Sequence, residues 1–131
     1  MSYFVGAYAA SPNNTAWDPE LEARSYARLR ALPNIKGLEH PFLGTLHPHD
    51  DAWFLRHIDP NWRFVFTCIP GFVAATAKNP KVGLASDDAP GREEALAFVR
   101  QARDAIAALN TACGRPVVDA IEIHTAPNKT E

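Results

Sequence analysis

Hydrophobic positions along the chain gather into four short runs: Tyr3 to Tyr8 (YFVGAY), Ile35 to Glu39 (IKGLE), Arg63 to Ile69 (RFVFTCI) and Val117 to His124 (VVDAIEIH). Each is β-branched or aromatic enough to predict a buried strand, and no two-residue hairpin turn joins one run to the next. Connections this long between strands call for parallel pairing.

Helical periodicity fills the gaps. In DPELEARSYARLRALP, Asp18 predicts an N-cap, Pro19 suits the first helical position, and Leu21, Tyr26, Leu29 and Leu32 form an apolar stripe that Pro33 ends. A second helix, DAWFLRHI, is capped by Asp50 or Asp51 and stops before Pro60, with Trp53, Phe54 and Leu55 as core. The third connection opens as a turn-rich loop, KNPKVGLASDDAPG, and continues into the helix REEALAFVRQARDAIAALNTACG. There Leu96, Val99, Ile106 and Leu109 are expected on one face, with Glu93 and Glu94 near the start and Gly114 at C′.

The resulting order, βαβαβαβ, buries a parallel sheet under its crossover helices. A (β/α)8 barrel takes roughly 250 residues, about 31 per unit, so the 131 residues here match about four units. The expected fold class is therefore α/β, the first four units of a parallel (β/α)8 barrel. A single partial domain over 1–131 is expected, truncated after strand four, where HTAPNKTE leaves the strand. Open sheet edges in such a fragment predict self-association and no activity on its own. A small, complete open α/β domain is the alternative.

Composition narrows the function classes. The chain is 47% hydrophobic and 21% charged, with formal net charge -2, so no global field draws nucleic acid or an anionic membrane. No apolar run approaches the roughly 20 residues that span a bilayer. Cys68 and Cys113 lack redox or zinc spacing, and no basic residue precedes the short apolar start, which fits a reduced, cytoplasmic setting.

In parallel α/β folds, functional groups collect at the strand carboxyl ends. Those ends hold Tyr8, Glu39 with His40, Thr67 with Cys68, and Glu122 with His124. Period-2 alternation turns Glu122 and His124 away from Ile121 and Ile123, toward a barrel interior where a carboxylate and an imidazole need partners or water. The same logic turns Glu39 inward. Glu39, Glu122 and His124 are thus the catalytic candidates, the alternative being a structural ion pair. His40 is equally readable as a loop residue held by Pro41. The segment HPFLGTLHPHDDAWF crowds His40, His47, His49, Asp50 and Asp51, side chains that suit a divalent metal, but Pro48 interrupts a strand-like HxH pair. Substrate binding is the reading preferred for Tyr8, His40, His47, His49 and Asp50, with helix capping as the alternative for the loop. The ASDDAPGR turn would repel an anion through Asp87 and Asp88, and GxGxxG, GxxxxGK and GxSxG motifs are absent.

Taken together and in order, VGAYAASP, GLEHPFLGTLHPHDDAW, TCIPG, GLASDD and EIHTAP resemble the N-terminal half of an uncharacterised bacterial family, a domain of unknown function frequent in actinobacteria. More distantly the layout looks like the xylose-isomerase-like barrels, which include metal-dependent sugar isomerases and epimerases. That resemblance implies a divalent metal (Mn, Mg or Zn) held mainly by residues beyond Glu131, and a small polar metabolite such as a sugar as partner. It transfers no catalytic residue, because fold alone does not carry function. Three functions follow as expectations: a metal-assisted isomerase or epimerase, a metal-dependent hydrolase using His47, His49 and Asp50, and a non-catalytic small-molecule-binding barrel.

Overall fold

A computed structural model of the protein describes residues 1–7, 9, 11 and 16–127. Its strands are β1 (Tyr3–Gly6), β2 (Ile35–Pro41), β3 (Arg63–Thr67) and β4 (Val118–Glu122), and its helices are α1 (Pro19–Ala31), α2 (Asp51–His57), α3 (Ile69–Lys78) and α4 (Ala89–Ala112). The four strands form one parallel sheet in the order β1-β2-β3-β4. Sequential parallel strands joined by same-handed crossovers keep their helices on one side of the sheet. This is the arrangement of the first four units of a (β/α)8 barrel, left as an open sheet rather than a closed cylinder.

The helix starts follow from their caps. Asp18 accepts the backbone N–H groups of Glu20 and Leu21 at 2.9 and 3.0 Å, and Asp50 accepts that of Trp53 at 2.8 Å. Asp88 caps α4 by accepting from Gly91 at 2.9 Å, and Gly114 follows its end at φ 65°, the left-handed geometry a C′ glycine supplies. One helix differs from expectation. The apolar run at Arg63 to Ile69 continues as a buried strand and then, from Ile69, as α3, which occupies the first part of the third connection. Pro70 suits a first turn, and Gly71 allows tight packing: a Cβ there would lie 2.1 Å from the Phe98 ring.

The apolar stripes also shift. Leu32 and Leu96 are exposed, at 53% and 41%, and α4 buries Ala95 and Ala102 beside the expected Leu109, with Val99 and Ile106 packed against the core. Small residues on that face let the long helix lie close to its neighbours. The core joins Leu38 of β2 and Phe64 and Phe66 of β3 to Tyr26, Phe54, Phe72 and the α4 alanines.

The amino end of the sheet is laced by charge. Asp119 of β4 pairs with Lys36 of β2 at 2.7 Å and receives the Arg63 guanidinium of β3. Hydrogen bonds from Arg63, then Lys36, hold the Asp119 carboxyl down at about 2.

Candidate functional site

At the carboxyl end, pairing decides which side chains share a face. Glu39 lies opposite Val65, Pro41 opposite Thr67, and Thr67 opposite Glu122, whereas His40 lies opposite Phe66 and Phe66 opposite Ile121. Partners in a parallel ladder point the same way and alternation reverses the next pair. Glu39, Thr67 and Glu122 therefore occupy the face that helices leave bare, and Ile121 shares the helix-covered face with Phe66. Gly6 of β1 pairs with Glu39, and a Cβ on it would sit 3.5 Å from Glu39 Oε2, so the carboxylate leans over the glycine. His124 lies two residues past the end of β4, half-buried, with Nδ1 lacking a hydrogen-bond partner among the described residues. The chain just beyond it is held in place because Ala85 N–H donates to the carbonyls of Thr125 and Ala126, each at 3.0 Å.

On the other side of β2, a cavity of about 180 Å³ opens between the start of α1 and the β2–α2 loop. Trp17, Glu22, Tyr26, His40, His47 and His49 supply most of its side-chain wall. Glu22 is the hub. Its Oε2 accepts the Trp17 indole N–H at 2.7 Å and faces His47 Nε2 at 3.5 Å, and the Tyr26 hydroxyl also donates to it. The tautomer of His47 is fixed by the backbone: its Nδ1 accepts the N–H groups of His49 at 3.2 Å and Asp50 at 3.0 Å, so the ring proton sits on Nε2, toward Glu22. His49 stacks on Trp17, with ring centroids 5.0 Å apart and planes 11° off parallel.

Burial sets the charge states here. Burial pushes the Glu22 carboxyl up, but hydrogen bonds from His47 and Trp17, with the Tyr26 hydroxyl adding to them, outweigh it and hold the group below its usual range. Burial, then the Glu22 charge, raises the Tyr26 phenol far above its ordinary value. His40 is only 2% exposed, lies against Phe54 at 4.6 Å and Phe66 at 5.4 Å, and burial drives its imidazole down to about 4. Its Nε2 donates to the Leu46 carbonyl at 2.5 Å, which leaves Nδ1 as a lone-pair acceptor, and that atom has no partner among the described residues.

The sequence candidates thus separate into two groups. Glu39 and Glu122 share the bare face, with His124 beyond it. His40, His47 and His49 line the cavity. His40 belongs to β2 itself, not to a loop, and faces the helices. Asp50 is engaged as the α2 cap, and Asp51 accepts the His47 N–H at 2.6 Å. Tyr8 lies outside the described residues. Trp17 and Glu22 escaped sequence reading, and Tyr26 was read only as part of the apolar stripe of α1; the visible signal was the i, i+4 spacing of Glu22 and Tyr26 on that helix. Among the described residues no three His, Cys, Asp or Glu side chains form a group able to hold a metal. Cys68, buried at the end of β3, has its thiol pushed up to about 11 by burial, which suppresses the thiolate.

Fold and site define a β/α-barrel half whose polar groups gather at the carboxyl ends of its strands. The chain belongs to the family of a domain of unknown function, DUF4862, whose model matches residues 4–131. It is 35% identical over 125 residues to the "Uncharacterized protein STM3670" of Salmonella typhimurium, covering 95% of this chain and 40% of that protein. The chain thus spans less than half the length of this curated relative. No solved structure matches. No helix among the described residues is long and apolar enough to cross a membrane.

Proposed function

We propose that the whole protein is a cytoplasmic isomerase or epimerase acting on a small polyhydroxylated metabolite such as a sugar, and that this chain forms the N-terminal half of its barrel. The carrying observation is the placement of Glu39 and Glu122 at the carboxyl ends of β2 and β4, on one bare face, with Thr67 of β3 between them. Alternate strands lie roughly 10 Å apart, enough for a small substrate to sit between two carboxylates. Epimerisation at carbon needs a base on one side and an acid on the other, and two such groups supply that. His124 is assigned as the group that stabilises charge developing on the substrate oxygen. The divalent metal implied by the xylose-isomerase resemblance has no ligand set among the described residues; its ligands are assigned mainly to the remainder of the whole protein, and no step here runs through it.

The hydrolase reading ranks lower because His47 has both ring nitrogens committed, Nδ1 to backbone N–H groups and Nε2 toward Glu22. The test is deuterium wash-in from D2O into a panel of aldoses and ketoses, followed by NMR with the whole protein. Exchange at a carbon beside a carbonyl is expected, and E39Q or E122Q should slow it about 100-fold or more. Full exchange in the double variant would overturn the assignment.

A further inference from the structure

The segment that leaves β4 carries His124 and is pinned on both sides of it. Upstream, the Cys68 N–H donates to the Glu122 carbonyl at 2.8 Å, at the last paired position of the β3–β4 ladder. Downstream, the Ala85 N–H is shared by the carbonyls of Thr125 and Ala126, each at 3.0 Å. Ala85 belongs to the loop between α3 and α4, and nearby Gly83 lies backbone to backbone against the same segment. A Cβ on Gly83 would overlap the Ala126 carbonyl and the Pro127 nitrogen. Val82, Gly83, Ser86 and Ala126 are buried, so loop and segment meet in a packed seam. The loop is itself braced on α4: the Gly83 N–H donates to the Gly91 carbonyl at 3.4 Å, and the Arg92 guanidinium donates to the Ser86 carbonyl at 2.6 Å. The His124 ring makes no hydrogen bond through its buried Nδ1 among the described residues, so that atom does nothing to hold the ring.

From this arrangement we infer that Gly83 and Ala85 are positioning residues of the candidate active site, which set where His124 stands. The inference rests on the reading of His124 as the group that stabilises charge developing on the substrate oxygen. Such a group must meet a fixed point, and a misplacement of about 1 Å can cost about 100-fold in rate. Residues past a strand end move with their loop unless backbone contacts hold them, and here the seam supplies those contacts. Glycine is needed at position 83 because of close approach: any side chain would push the Ala126 backbone away and carry the neighbouring His124 with it. Ala85 contributes only its N–H, since its side chain lies on the surface. Both residues act through the main chain and through His124.

The test compares Gly83→Ala, which forces the seam apart, with Ala85→Pro, which deletes the shared N–H, both in the whole protein. In carbon–proton NMR correlation spectra the His124 ring signals, assigned by their loss in His124→Gln, should move in both variants. Those of His57, at the opposite end of the sheet, should stay in place. In the deuterium wash-in both variants should lower kcat about 10- to 100-fold and leave KM within about twofold, the pattern of an interaction made only in the transition state. Because either variant could fail to fold, amide exchange is also measured on the unmodified protein. There the Ala85 N–H should be protected at least about 100-fold although the residue is exposed. Unmoved His124 signals, shifts as large at His57 as at His124, an unprotected Ala85 amide, or a raised KM with kcat retained would each overturn the inference. If the unmodified protein exchanges deuterium into no sugar, the isomerase reading falls, while moved His124 signals beside unmoved His57 signals still support the positioning.

Discussion

His47 and Glu22 face each other at 3.5 Å from different β/α units, the imidazole oriented by the backbone of its own loop and the carboxylate by α1. The contact ties the β2–α2 loop to the first helix. Around it, one carboxylate collects the donors of Trp17, Tyr26 and His47, so removing it strands several polar groups together.

Glu22→Ala is therefore expected to destabilise the chain by about 2 to 4 kcal/mol, since leaving each buried donor unsatisfied costs about 1 to 3 kcal/mol and partial hydration offsets some of this. Glu22→Gln should cost less, because its amide oxygen still accepts. Urea unfolding of both variants measures it. A Glu22→Ala loss below about 0.5 kcal/mol, the range of ordinary surface substitutions, would show that the network is not cooperative.

His40 gives the fold an acid sensitivity whose sign is fixed. Its folded value, about 4, lies below the ordinary 6.5, so the unfolded chain binds the extra proton between these limits. Stability from this group is complete above about pH 6.5 and falls as pH drops toward about 4, by roughly 3 kcal/mol in total. Replacing His40 with Leu should flatten that part of the stability profile, whatever it does to the absolute stability. An unchanged slope between pH 6.5 and 4 would mean the imidazole titrates normally.

Two glycines should respond to alanine for different reasons. At Gly37 a Cβ would meet the Arg63 carbonyl oxygen at 1.7 Å, a backbone clash that only separation of β2 from β3 relieves. Gly37→Ala is expected to cost about 3 kcal/mol or more, in the manner of severe overpacking. Gly114 has open space around it but sits at φ 65°, so Gly114→Ala should cost only about 1 to 2 kcal/mol. Thermal unfolding of the pair separates the two mechanisms, and equal losses would contradict the packing argument.

β4 lies at one end of the strand order with Ile121 39% and Ile123 38% exposed, which makes its outer edge a template for another strand. Light scattering of this 131-residue chain should show association that rises with concentration, and Ile121→Lys should reduce it. A monomer across the whole series would show that the edge is guarded in some other way.

Period-2 alternation and cap residues made the sheet and three helices legible: Asp18, Asp50 and Gly114 stand where chemistry requires them, whereas the Asp88 cap went unread because the last helix was expected to start at Arg92 rather than Ala89. The start of α3 was not legible because RFVFTCIPGFV is one continuous apolar run, and nothing in hydrophobicity marks where an extended backbone turns helical. Of the expected α4 stripe, Leu109 is fully buried and Val99 and Ile106 pack against the core, but Leu96 is exposed and Ala95 and Ala102 are buried, since large residues draw attention although close packing favours small ones. At the site, alternation sorted Glu39 and Glu122 correctly onto a face, but it could not show that Glu22 of α1 meets His47 of a later loop. Such contacts depend on how two connections lean together, which strand periodicity does not encode.

The Asp119 clasp gives the sheet unequal ends. At the amino end, one carboxylate of β4 grips cations of β2 and β3 and keeps its charge down to about pH 2. At the carboxyl end, His40 takes up a proton near pH 4 inside an aromatic shell. Acid should therefore unzip the sheet directionally, with amide exchange accelerating first around Leu46 and His47 while the residues around Lys36 and Arg63 remain protected. The end that carries the candidate site is also the fuse, and the opposite end is the rivet that lets the sheet close again when the acid is withdrawn.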